Sequence, residues 1–449
     1  MRVLPEDKGK LVTIKKKDVT YKGYIVNIIE KNNLQELTIK LLDNGYNISV
    51  LLDSDTEVVV GTDSKIFGQK QKINITQNPN LPSVALIATG GTIGTHVDYK
   101  SGAVSMSRSA EEIIFTVPEL LDIINIKKIY SISMKGSEDL GYKDWQKMSE
   151  SVFAALNDPD IKGIIILHGT DTLAWSGTAI SFMIENINKP VLLVGAQKSP
   201  DRASFDGAMN LICAARFIDQ QVPGVFTVMH GSINDDFCDV IRATKCRKMH
   251  SSRRDSFKAI NDLPIARVFE NGKITYLKDK NILPKPTEKP KINNCFSDSV
   301  AILKAYPNSD PKIIEWYIEN NYKGLIIEGT GLGHCPIGLG GDDTSFDSNK
   351  NWAPYIKKAN DAGLIVIITT QCLFGRVNAN VYANLRYLKE AGANYLDSHD
   401  MLCEVAYIKL CVALARFDKK EEILDFMKTD IAGEISKKEV LKSFELDLL

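Results

Sequence analysis

Four short apolar runs constrain this chain more than anything else in it: VALIA (84–88), GIIIL (163–167), VLLV (191–194) and GVFTV (224–228). Each has the length of a strand and lacks a polar face, which suits parallel strands covered on both sides. Between them lie amphipathic stretches such as KDWQKMSESVFAALND and TLAWSGTAISFMIENI. Strand and helix alternating in this way predict a doubly wound parallel sheet in an α/β domain over 83–280. A second, smaller α/β domain is expected over 298–416, from SVAIL (299–303), GLIIE (324–328) and LIVII (364–368). Proline-containing linkers are expected at 77–83 and 279–297. The charged tail, 417–449, reads as helical.

Residues 1–76 follow a different pattern. VTYKGYIVNIIE, ELTIKLLDNGYNISVLL and TEVVVG are short, β-branched and partly alternating, and Asp43-Asn44-Gly45 is a hairpin signal. They predict a small antiparallel all-β barrel ahead of the α/β core.

A length of 449 residues suggests two or three domains. A net charge of -1 gives no global field toward nucleic acid or membrane. The opening MRVLPEDKGK has no apolar leader core, and no run approaches the roughly 18 apolar residues of a spanning helix. The eight cysteines form no C-x-x-C and are irregularly spaced. They read as free thiols of a cytoplasmic protein, with no metal site.

Ligands of open α/β sheets bind at the carboxyl ends of the strands. Two such turns carry Gly and Thr: Thr89-Gly90-Gly91-Thr92-Ile93-Gly94 and His168-Gly169-Thr170-Asp171-Thr172. The first lacks G-x-G-x-x-G spacing, and neither Gly9-Lys10 nor Gly272-Lys273 is followed by Ser or Thr. A phosphate cradle, a plain tight turn and a threonine nucleophile all remain open for it. A threonine nucleophile requires a base. Lys245, in DVIRATKCRKMHSSRRD, is a candidate because crowding by cations or partial burial lowers a lysine pKa. An ordinary surface lysine is the alternative.

ATGGTI, HGTDT, the lysine of ATK and the late segments TQCLFGRVNANVYANLRYLKEAG and DMLCEVAYIKL resemble the bacterial-type asparaginase/glutaminase family over about 82–416. The N-terminal barrel, KMHSSRRDSFKAIN (248–261) and DIAGEI (430–435) resemble the archaeal tRNA-dependent amidotransferase branch of that family. The resemblance implies an asparaginase-like two-domain core that hydrolyses glutamine. Thr92 would be the nucleophile, with Gly91 contributing to the oxyanion site. Thr170, Asp171 and Lys245 would form a second catalytic group, in which Asp171 orients Lys245 and takes the α-ammonium of the substrate. Tyr99 falls near the flexible-loop tyrosine of the family. Ser137 matches a serine that holds the α-carboxylate, with a helix N-cap as the alternative.

The same resemblance implies a GatE-like partner that binds tRNA, uses ATP and magnesium, and converts misacylated Glu-tRNA(Gln) through a γ-phosphoryl intermediate with the released ammonia. This chain would bind no cofactor itself and would form a homodimer core within a heterotetramer. A free cytoplasmic L-asparaginase/glutaminase is the alternative. Arg242, Lys245, Arg247, Lys248, Arg253, Arg254 and Lys258 form a basic run that suits a partner or channel contact, or else internal ion pairs. Asn384-Leu385 departs from the small residue and glycine usual in the family. His334 reads as structural.

Overall fold

The structure, a computed structural model, describes residues 2–42, 47–64, 78–91, 93, 95–97, 104–106, 114, 116–200, 204–279, 283, 286–339, 346–439 and 443. Asp43-Asn44-Gly45, Thr92 and Tyr99 lie outside the described residues.

The N-terminal unit is a five-stranded antiparallel sheet: Lys10–Lys16, Val19–Lys31, Leu34–Leu41, Asn47–Leu52 and Thr56–Ser64. In space the fourth strand lies outermost, then the third, second, first and fifth. In a flat sheet the two outer strands would stand about 19 Å apart, at roughly 4.8 Å per gap. The connection from Leu52 to Thr56 spans at most about 14 Å. The sheet therefore curls, helped by a register shift between Ile25 and Asn27. Its concave side buries Val12, Ile14, Ile25, Leu37, Ile39 and Val50 as a core separate from the rest. Asn47 Nδ2 donates to Pro200 O at 2.8 Å, joining this unit to the α/β core.

The main sheet has eight strands. Across it run Ile274–Tyr276, Ala266–Phe269, Phe237–Arg242, Gly224–His230, Pro190–Val194, Gly163–Leu167, Ser83–Gly90 and Asn125–Lys135. All four apolar runs form neighbouring parallel strands. Asn125–Lys135 adds a parallel edge strand, while Phe237–Arg242, Ala266–Phe269 and Ile274–Tyr276 add antiparallel ones, so the sheet is mixed rather than wholly parallel. The edge strand NIKKIYSISMK alternates because only part of it is covered.

The second unit is a four-stranded parallel sheet of Val300–Lys304, Gly324–Gly329, Ile365–Thr370 and Ala393–Asn394. Helix Cys403–Arg416 fastens it to the first unit. Val405, Ile408 and Val412 on this helix share one apolar cluster with Ile164, Ile180 and Leu193 of the first unit and with Ile326 and Ile367 of the second. Among the described residues of the tail, α-helix covers only Lys420–Lys428, where Ile423 and Met427 are buried. Beyond it, Asp430–Ser436 runs without helix and packs between the two units, so the expectation of a helical tail fails there. Among the described residues, no helix is long and apolar enough to cross a membrane.

Candidate active site

Four neighbouring strands of the main sheet end in small residues, and these ends meet. Gly90 and Gly91 take positive φ of 98° and 78°, which a side chain rarely tolerates. A Cβ on Gly91 would lie 2.2 Å from Gly169 Cα, and one on Gly169 would lie 2.7 Å from Ser137 Oγ. A Cβ on Gly195, past the next strand, would lie 2.8 Å from Thr170 Cγ2. Only glycine lets these turns approach so closely. Thr89 Oγ1 donates to Leu167 O at 3.0 Å, tying the first turn to the neighbouring strand.

The HGTDT turn is braced from below. His168 is fully buried, and its Nδ1 lies 2.7 Å from Gly169 O, an obligate acceptor, so Nδ1 carries the proton. Its Nε2 accepts from Ser176 Oγ at 2.7 Å, and Ser176 Oγ accepts from Trp145 Nε1 at 2.9 Å. Burial pushes the imidazole down to about 4, so it stays neutral around pH 7. Thr172 Oγ1 donates to Ser137 O at 2.6 Å. Ser137 itself begins the short turn Ser137–Asp139 and caps no helix; at the start of Tyr142–Leu156 Asp144 accepts from Gly141 N at 3.0 Å instead.

The lysine is where sequence and structure part. Lys245 does not reach Thr170 or Asp171. It is 2% exposed, and its Nζ donates to Asp400 Oδ2 at 2.8 Å, across to the second unit. Lys248 takes the expected place, donating to Thr170 Oγ1 at 2.9 Å and to Asp171 Oδ1 at 2.8 Å. The two lysines are carried by successive short elements, Ala243–Lys245 and Cys246–Lys248. Lys245 is flanked by buried Ala243, Thr244 and Cys246, whereas Lys248 opens a polar run through His250 and Arg254. That contrast was the available signal for Lys248, and proximity to the motif match obscured it.

The basic run is satisfied within the chain. Arg247 grips Glu404 at 2.6 and 2.7 Å, Arg253 pairs with Asp255, and Arg254 with Asp235. Lys258 donates to Gly231 O at 2.9 Å, and Arg242 to Ala432 O at 3.4 Å. The internal reading of this run fits better than a free basic surface. His334 Nδ1 accepts from Asn384 Nδ2 at 3.0 Å, and its ring lies tilted at 58° against Tyr382, so the two unassigned residues form one structural contact.

Among the described residues, no group of three or more His, Cys, Asp or Glu is arranged to hold a metal. The site offers instead two hydroxyls, a carboxylate and an ammonium around glycine turns, suited to acyl transfer.

The family model "Asparaginase, N-terminal" matches residues 83–281, and "Glutaminase/Asparaginase C-terminal domain" matches 299–427. A Methanopyrus kandleri protein, named as the GatD component of glutamyl-tRNA(Gln) amidotransferase, is 40% identical over 99% of this chain and 98% of its own length. A Thermococcus kodakarensis protein of the same name is 41% identical over 95% of this chain and 94% of its own. The chain belongs to the GatD family of glutamyl-tRNA(Gln) amidotransferases. Like those GatD relatives, it carries a segment beyond the asparaginase core. A solved thermostable L-asparaginase from T. kodakarensis, 26% identical with a TM-score of 0.68, is covered completely but covers only 79% of this chain. An L-asparaginase I from Vibrio cholerae behaves alike, 25% identical with a TM-score of 0.64 over 79% of this chain and 99% of its own.

Proposed function

We propose that this chain is the glutaminase subunit of a Glu-tRNA(Gln) amidotransferase. The observation that carries the reading is the contact of Lys248 with Thr170 and Asp171, beside glycine turns that Thr92 directly continues. Membership of the GatD family supports glutamine as the amide donor.

Thr92 Oγ attacks the side-chain carboxamide carbon of glutamine, and its proton leaves with the departing nitrogen as ammonia. Tyr99 assists that transfer. Backbone N–H groups at the Gly91 turn receive the negative charge that builds on the carbonyl oxygen. Ser137 takes the α-carboxylate, and the exposed carboxylate of Asp171 takes the α-ammonium. Water then cleaves the Thr92 ester, releasing glutamate and restoring the threonine hydroxyl. Thr170, held by the Lys248 ammonium, positions that water. Lys248 thus assumes the role expected of Lys245.

Ammonia passes to a GatE-like partner that binds Glu-tRNA(Gln) and uses ATP and magnesium to form the γ-phosphoryl intermediate that it amidates. This chain needs no cofactor of its own. A homodimer of this chain, carrying two partners, works in the cytoplasm. The test is co-purification with the partner, followed by ammonia release from glutamine and asparagine with and without misacylated tRNA. Release stimulated by partner and tRNA, and preferring glutamine, supports the reading. Strong release from asparagine, indifferent to both, would instead support a free asparaginase.

A further inference from the structure

The segment that carries Lys248 is fastened, residue after residue, to the far end of the chain. Thr244 Oγ1 donates to Ala432 O at 3.0 Å, and Arg242 reaches the same carbonyl. Lys245 Nζ donates to Asp400 Oδ2 at 2.8 Å, with both side chains 2% exposed. Arg247 grips Glu404 with both oxygens of a carboxylate that is 4% exposed.

The far side of these ties is itself braced. Asp400 Oδ1 accepts from Ser436 N at 2.9 Å, and Ser436 Oγ donates to Asn261 O at 3.2 Å. Asn261 bridges back, donating to Asp400 O at 3.0 Å and accepting from Gly375 N at 2.8 Å. Arg376 donates to Ser398 O at 3.2 Å and also to Ser436 O. Lys409 and Glu434, both fully buried, meet at 2.6 Å, while Glu434 also accepts from Ala432 N at 2.7 Å. At Gly433, φ is +75° and a Cβ would lie 2.5 Å from Arg242 Nε, so the segment lies against the side chain of the residue that leads into Ala243–Lys245.

Burying so many charges is costly, and a core built for stability alone would do as well with apolar residues. Buried ion pairs differ in being directional, and here they fix the segment three residues upstream of the group that contacts Thr170. We infer that the Lys245–Asp400 pair and the docked 430–436 segment position Lys248, making Lys245 a positioning residue for amide hydrolysis. The inference rests on the glutaminase reading. It makes the second domain and the C-terminal segment part of the active-site scaffold, although neither reaches Thr170 or Asp171.

The test compares full-length Lys245→Met/Asp400→Leu and Thr244→Val with wild type, each in complex with the partner subunit. The first removes both charges together and leaves no lone buried ion; the second cuts a separate tie without changing charge. Glutamine hydrolysis is followed for kcat and KM, and accessibility of the Lys248 amine by reductive methylation and peptide mass spectrometry. The double variant is expected to lose about 10- to 100-fold in kcat, with KM within about twofold and faster methylation of Lys248. Thr244→Val should show the same signature at a few-fold. Wild-type kcat and unchanged Lys248 methylation in a folded double variant would overturn the inference. Should the double variant fail to fold, Thr244→Val decides: a lower kcat at unchanged KM supports positioning, and wild-type behaviour overturns it. A wild-type complex that releases no ammonia from glutamine refutes the glutaminase reading instead. Lys248 methylation then still decides whether the pair positions that residue.

Discussion

Lys248 and Asp171, separated by 77 positions in the chain, meet at 2.8 Å at the carboxyl end of the main sheet. Three residues before Lys248, Lys245 makes an ion pair of the same length with Asp400, in a site from which solvent is excluded. The two lysines therefore give different outcomes when replaced.

Lys248→Met should remove about 10²- to 10⁴-fold of kcat for glutamine. Its pair with the 65% exposed Asp171 side chain contributes only about 0–1 kcal/mol to stability, so the fold should persist. Lys245→Met alone should behave oppositely at equilibrium, losing about 3–5 kcal/mol because Asp400 is left buried and unpaired. Urea unfolding alongside steady-state kinetics separates the two. Equal loss of stability in both variants would contradict the assignment.

Gly91→Ala should abolish activity and destabilise the chain. The methyl group would meet backbone at 2.2 Å, and the residue's φ of 78° disfavours any side chain. Gly169→Ala meets the Ser137 side chain at 2.7 Å without that backbone strain. It should cost about 1–3 kcal/mol from overpacking and raise KM, because Ser137 is displaced. Thermal melts and a KM series check both.

Stability should fall with acid through two buried histidines. Burial pushes His168 and His399 down to about 4 from 6.5. A base with a depressed folded pKa contributes stability above its unfolded pKa and loses it as pH falls toward the folded value. Each should thus withdraw about 3 kcal/mol between pH 6.5 and 4. Unfolding free energies measured at pH 7, 5.5 and 4 report the slope, and His399→Gln should remove about half of this contribution. A flat profile over that range would contradict the neutral assignment.

The sequence revealed most of the fold where hydrophobic pattern alone decides it. VALIA, GIIIL, VLLV and GVFTV were legible because parallel strands buried on both faces have no polar alternation. Asn125–Lys135 was not, because its lysines face solvent on an edge and mimic a loop. Thr170 and Asp171 stood out because they follow a glycine at a strand end, whereas Ser137 stood out only through the family resemblance. The lysine was not: Lys245 and Lys248 are both cations in one run, and which one faces the cleft depends on packing against Asp400 and Glu404, more than 150 residues away. The same long-range contacts explain why 430–436 read as part of a helical tail.

If a threonine on the first glycine turn releases ammonia for a separate amidation, glutamine and free ammonium must part company when that threonine is lost. Thr92→Ala, in complex with the partner, ATP, magnesium and Glu-tRNA(Gln), tests this most directly when glutamine and ammonium chloride are supplied in turn. Glutamine-dependent Gln-tRNA(Gln) formation should be lost, and formation with ammonium should survive. Glutamine-dependent formation that continues at the wild-type rate would contradict the assignment of Thr92.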